Sequence, residues 1–134
     1  MSWPLRLREL PDSGSVHFDP GDCFYARPES IKTRADGSRW IWGHQLSDEY
    51  ESLRASTRLP LLVKLPYGGD FCVDSAVTGE SRGWTVTGDP PNITVSPSIN
   101  CVNLYHGWIR DGELTDDVDG RRYEKGEYGW RQVK

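Results

Sequence analysis

The tightest constraint on this chain is a pair of strand-forming runs, Trp84-Thr85-Val86-Thr87 and Ile93-Thr94-Val95, held apart by Gly88-Asp89-Pro90-Pro91. β-Branched side chains are stiff at χ1 and suit a pleated surface, whereas proline removes a backbone donor and biases the preceding residue away from the helical region. A helix therefore has no route through this region, and the pattern predicts two strands around a breaker. Further along segment 83–112, Ser96-Pro97 reads as a turn, 102–109 as another strand and Asp111-Gly112 as its closing turn.

The remaining chain follows the same grammar. Leu5 and Leu7 alternate with Arg6 and Arg8, predicting a half-buried first strand that stops at Pro11, with a polar loop over 12–15. Asp19-Pro20-Gly21-Asp22 is a turn by its chemistry, since Pro presets φ at the first central position and Gly accepts positive φ at the second. Cys23-Phe24-Tyr25 reads as a short strand. Segment 27–39 is polar, contains Asp36-Gly37 and has little to bury, which makes it a surface excursion with a hairpin turn. Apolar character resumes at Arg39-Trp40-Ile41-Trp42.

One window is helical. Ser47 can cap it, Asp48 and Glu49 suit its positive end, and Leu46, Tyr50 and Leu53 recur at helical spacing, predicting a short helix near 47–57. Leu61-Leu62-Val63-Lys64-Leu65, bounded by Pro60 and Pro66, is a continuous apolar run of the kind a fully buried strand shows. Tyr67-Gly68-Gly69-Asp70 turns it into the returning strand Phe71-Cys72-Val73-Asp74. The last third is polar and Gly-punctuated, with a final strand expected near 128–133.

At 134 residues the chain is expected to form a single domain over 1–134, able to bury a core without disulfide or metal staples. Six Trp, six Tyr and three Phe must supply much of that core, because the hydrophobic fraction is a low 36%. A net charge of −4 with no Lys/Arg cluster argues against nucleic acid as a partner. No apolar run is long enough to span a bilayer, so no membrane association is expected. The start lacks a secretory pattern, and Cys23, Cys72 and Cys101 are an odd number, which together predict reduced thiols in a cytoplasm.

Several strings imitate chemical motifs. Gly79-Glu80-Ser81-Arg82-Gly83 satisfies the G-x-S-x-G pattern of a nucleophile elbow, but a strand signature follows where that motif requires a helix, so a polar loop is the reading. Thr115-Asp116-Asp117-Val118-Asp119-Gly120 resembles the middle of a calcium loop. Its first position is Thr115 and its twelfth is Gly126 where a bidentate Glu is needed, and the expectation is a solvated acidic loop. No catalytic residue is assigned. Zinc is the one cofactor with candidate ligands, Cys72, Cys101 and His106, with Asp74 or Cys23 as possible additions, set against ordinary thiol burial. His17 and His44 are lone imidazoles. The aromatic residues serve either core packing, the commoner use, or partner recognition; the candidate binding residues are Trp40, Trp42, Trp84, Tyr105, His106 and Trp108.

The string Gly83-Trp84-Thr85-Val86-Thr87-Gly88-Asp89-Pro90-Pro91-Asn92-Ile93-Thr94-Val95-Ser96-Pro97-Ser98-Ile99, followed by Tyr105-His106-Gly107-Trp108-Ile109-Arg110-Asp111-Gly112, is similar to an uncharacterised family of small tailed-bacteriophage proteins. Pro20-Gly21-Asp22, Leu46-Ser47, Pro60-Leu61-Leu62-Val63 and Phe71-Cys72-Val73-Asp74-Ser75 carry the likeness upstream. The resemblance implies a phage origin among accessory genes and brings no activity with it. More distantly, the Pro-Ser-Ile segment leading to a Cys and a His resembles small proteins whose cysteines look like zinc ligands; this chain keeps Cys101 and His106 and lacks their upstream C-x-C-G-like knuckle.

The sequence thus predicts a β-rich α+β fold, a small mostly antiparallel sheet or partly open barrel with one short helix. The function expected is that of a non-enzymatic phage accessory protein in the host cytoplasm, binding a host or phage protein such as a defence component. The alternatives are a virion component, for instance a capsid decoration or tail-associated subunit, and a small metal-dependent hydrolase or nucleotide-binding protein.

Overall fold

The computed structural model describes residues 2–10, 17–77 and 82–133. Its strands, in chain order, are β1 (Trp3–Pro4), β2 (Arg6–Leu7), β3 (Asp22–Tyr25), β4 (Ile31–Thr33), β5 (Arg39–Ile41), β6 (His44–Gln45) and β7 (Leu61–Lys64). They continue with β8 (Asp70–Cys72), β9 (Thr85–Thr87), β10 (Thr94–Cys101), β11 (Tyr105–Arg110), β12 (Glu113–Leu114), β13 (Tyr123–Gly126) and β14 (Gly129–Gln132). Four sheets result, ordered β1-β12-β11-β10-β9, β2-β3-β7-β8, β4-β5-β6 and β13-β14. All their pairings are antiparallel except that of β2 with β3. The β-rich, mostly antiparallel expectation holds, and the sheets stay open rather than closing into a barrel.

The layering follows from β7. Leu61 and Val63 face one apolar cluster, with Cys23, Phe71 and Val73 beside them and Val95, Ile99, Tyr105, Ile109 and Leu114 of the five-stranded sheet opposite. Leu62 faces the other way, into a second cluster with Phe24, Cys72, Ile41, Leu46 and Tyr50. Successive side chains of a strand point to opposite faces, so a strand covered on both sides must be apolar without interruption. Leu61, Leu62 and Val63 are each fully buried, contributing about 1.5–3 kcal/mol apiece relative to exposure.

Local departures from the expected pattern have local causes. The predicted first strand splits in two: β1 joins Leu114 and Glu113, β2 joins Asp22 and Cys23, and buried Leu5 lies between them while Leu7 is left exposed. The chain crosses from one sheet to the next there because Gly21 lets the backbones close up; a Cβ at Gly21 would lie 2.6 Å from the Pro4 carbonyl oxygen, and its φ of +87° suits glycine alone. Ser96-Pro97 does not end its strand: β10 runs through it, with a register irregularity between Val95 and Ile99 that accommodates a residue without an N–H. Residues 102–104 form the hairpin turn, so the following strand begins at Tyr105.

The helical window is a single π-helical turn, Tyr50–Arg54. Ser47 acts as expected, its Oγ accepting the Tyr50 N–H at 3.1 Å. The Ala55 N–H reaches back five residues to the Tyr50 carbonyl, and this wider turn carries position i+3 off the buried face. Leu46 and Tyr50 are therefore buried while Leu53 is 69% exposed, a correction to the predicted apolar stripe.

A buried carboxylate fastens this turn to the central sheet. Asp74, fully buried, accepts from Arg54 Nε at 2.8 Å, from Arg58 Nη1 and Nη2 at 2.7 and 3.0 Å, and from the Leu61 N–H at 2.8 Å. Removing the carboxylate leaves two largely buried guanidinium groups without their counter-ion, and Asp74→Ala is expected to cost about 3–5 kcal/mol. Urea denaturation measures this; a loss under about 1 kcal/mol, the ordinary scale for an exposed ion pair, would show that the network does not organise the fold.

Candidate functional site

Where the three larger sheets converge they leave a cleft of about 670 Å³. Trp40, His44 and Gln45 come from β5 and β6, Asp70 and Phe71 from β8 with Tyr67 in the preceding turn, and Ile99, Asn100 and Cys101 from the end of β10; Trp84 and Ser75–Val77 complete the lining. Trp84 is fixed by edge-on packing against Phe71, ring centroids 4.8 Å apart. Trp40 is held by its indole N–H on Ser38 Oγ at 2.8 Å and by the Arg34 guanidinium 3.6 Å from its ring centroid.

Burial sets the charge state of two cleft groups. Burial lowers the pKa of His44, with Asp70 opposing weakly, so the imidazole is neutral. The Tyr67 phenol is pushed far above its ordinary value, first by burial and then by the adjacent Cys101 thiol. Asp70 lies with Oδ1 2.7 Å from Lys64 Nζ. Hydrogen-bonding and aromatic recognition are what such a set offers.

The six residues predicted for binding divide among four places. Trp40 and Trp84 line the cleft. Trp42 does not join them, because Trp42 and Gly43 form the two-residue turn between β5 and β6, with φ of 47° and 84°, which sends the indole toward Phe24, 6.2 Å between centroids. Tyr105 is fully buried and donates its hydroxyl to the Thr115 carbonyl at 2.7 Å. His106 and Trp108 alternate with it onto the other face of β11, ring centroids 5.7 Å apart, with Arg110 4.5 Å over the Trp108 ring. Gly107 between His106 and Trp108 is a close approach, since a Cβ there would strike the Tyr105 hydroxyl.

The structure does not bring the predicted metal ligands together. Cys101 pairs with Tyr105 and Asn100 with His106, so the Cys101 and His106 side chains lie on opposite faces of the hairpin. Cys72 is sealed in the cluster beneath the π-helical turn, and Cys23 on the opposite face of the same sheet. Asp74 is engaged by two arginines. Among the described residues no group of three or more His, Cys, Asp or Glu side chains is placed to hold a metal ion. Burial first, and then Asp22 or Asp74, pushes the Cys23 and Cys72 thiols up to about 12, whereas Cys101 is partly exposed. Native-state alkylation with iodoacetamide is accordingly expected to mark Cys101 first, leaving Cys23 and Cys72 protected until denaturant is added. Peptide mass spectrometry reads the order, and early labelling of Cys72 would contradict its placement.

The acidic run after β12 is the expected exposed loop at Asp116, Val118 and Asp119, with one exception. Asp117 is buried and accepts the N–H groups of His106, Asp119 and Arg121 at 2.8, 3.0 and 2.8 Å, with Arg121 Nη1 at 3.0 Å. Burial alone would raise its pKa, but the hydrogen bonds from Arg121 and His106 outweigh it and hold the carboxyl below its ordinary value. A lowered folded-state pKa gives stability that is complete above the unfolded value, about 3.9, and is lost as pH falls through the folded one. Asp117→Ala should therefore be less stable than the parent at neutral pH and show a shallower acid-unfolding limb, measured by circular dichroism; parallel limbs would refute this. Of the G-x-S-x-G string, Gly79, Glu80 and Ser81 lie outside the described residues, and Gly83 forms an isolated antiparallel bridge with Ala76.

Sequence reasoning missed Tyr67, Asp70 and Phe71 as cleft residues, and saw His44 without a partner. Each carried a complete local explanation as turn or strand, and no local pattern shows that β5, β8 and β10 meet. The chain matches no family model, no curated protein and no solved structure.

Proposed function

We propose that this protein is a non-enzymatic binding module that holds a segment of another protein in the cleft between its three larger sheets. The observation that carries the reading is the cleft itself, about 670 Å³ and walled by Trp40, Tyr67, Phe71 and Trp84. Aromatic side chains dominate binding hot spots because they offer a large contact area at small entropic cost. Support also comes from the neutral His44, the protonated Tyr67 and the Lys64-paired Asp70, which suit recognition better than proton transfer or nucleophilic attack. The sequence resemblance supplies the setting: a phage accessory protein in the host cytoplasm, with a host or phage protein as partner.

Affinity capture from infected host lysate tests this with three baits. The parent protein is expected to retain a partner that Trp40→Ala loses and that Trp108→Ala, altered outside the cleft, retains. Equal recovery by all three baits would overturn the cleft as the interface. Capture of particle proteins alone would replace the reading with a virion role.

A further inference from the structure

We propose that the cleft takes the cationic tip of a Lys or Arg side chain, presented by an exposed segment of the partner, between its aromatic walls and the Asp70 carboxylate. The inference rests on the binding reading above and names the chemistry that the site selects. Trp and Tyr rings carry negative π faces that attract cations, and an aliphatic stem packs well along an indole. Trp40 already shows this preference, since the chain's own Arg34 lies 3.6 Å from its ring centroid.

Charge decides which ligand fits. Among the described residues lining the cleft there is no Lys or Arg, and Asp70 is the one carboxylate. Lys64 meets Asp70 through Oδ1 but lines a separate, smaller pocket beside Phe18. Asp70 borders the cleft beside His44 and Tyr67, and Lys64 is on its Oδ1, leaving Oδ2 for a donor. Lys64 answers one oxygen of Asp70 from outside the cleft; an anionic ligand would face the other, and a purely apolar one would strip water from Asp70 and His44 without replacing it. A cation on an alkyl stem answers both demands, and the net charge of −4 favours its approach.

The test uses three short peptides, acetyl-Gly-Xaa-Gly-amide with Xaa lysine, arginine or norleucine, titrated into the isotopically labelled protein. The indole N–H resonances of Trp40 and Trp84 are the readout. A cationic peptide is expected to shift both and to bind about tenfold more tightly than norleucine, with lysine and arginine ranked by the same titration. The preference should shrink as salt is added, a measurement needing no variant, and should vanish in Asp70→Asn. Norleucine binding as tightly as the cations, or no response of either indole to them, would overturn the proposal. If neither cation binds while Trp40→Ala still loses the captured partner, the binding reading stands and its cationic ligand falls.

Discussion

A strand with no solvent face is the condition on which this architecture depends. β7 must be covered twice, and neither the five-stranded sheet nor the small β4-β5-β6 sheet can do both. The fold therefore has a middle layer, and the alternation of its side chains decides which cluster each neighbour joins: Cys23, Val63 and Phe71 go one way, Phe24, Leu62 and Cys72 the other. That alternation also keeps apart cysteines that look equivalent in sequence. The cleft opens beside this middle layer, and residues from all three larger sheets reach its walls.

Short strands carry few ladder hydrogen bonds, and buried carboxylates supply order where strands do not. Asp74 gathers the π-helical turn and the start of β7. Asp22 gathers Arg6 and Arg8 with the Asp19 N–H, fixing the crossing of the N-terminal segment. Asp117 gathers three backbone donors and Arg121. Each is a local hub joining segments distant in sequence, and each has its lone pairs answered by charge-assisted donors, the condition under which burial of a carboxylate is tolerated.

The fold was legible where its causes are local. Pro20-Gly21, Gly68-Gly69 and Pro90-Pro91 mark real breaks, and the uninterrupted apolar run at 61–63 correctly implied a strand buried on both faces. Ser47 announced the helical turn. What eluded sequence was decided by register and by distant packing. Leu53 lost its place in the core because the turn is wider than an α-helical one. Trp42 left the company of Trp40 because the hairpin reverses at that residue. His106 and Cys101, close along the chain, are divided by the pleat. The cleft was half legible: Trp40 and Trp84 were singled out for their size, whereas Asp70 was read as part of a turn, since nothing local distinguishes a turn that borders a recess from one that borders water.

The crossing at Leu5 has a consequence for how the chain is made. Trp3 pairs with Leu114, and the Leu5 N–H donates to the Gly112 carbonyl at 2.8 Å. A ribosome releases the first of these partners long before the second exists, and until then β1 has no neighbour. Completion of the five-stranded sheet thus waits until β12 has been made, while β3, β7 and β8 can already associate. Until that sheet forms, the face of β7 that it covers, Leu61 and Val63, stands bare.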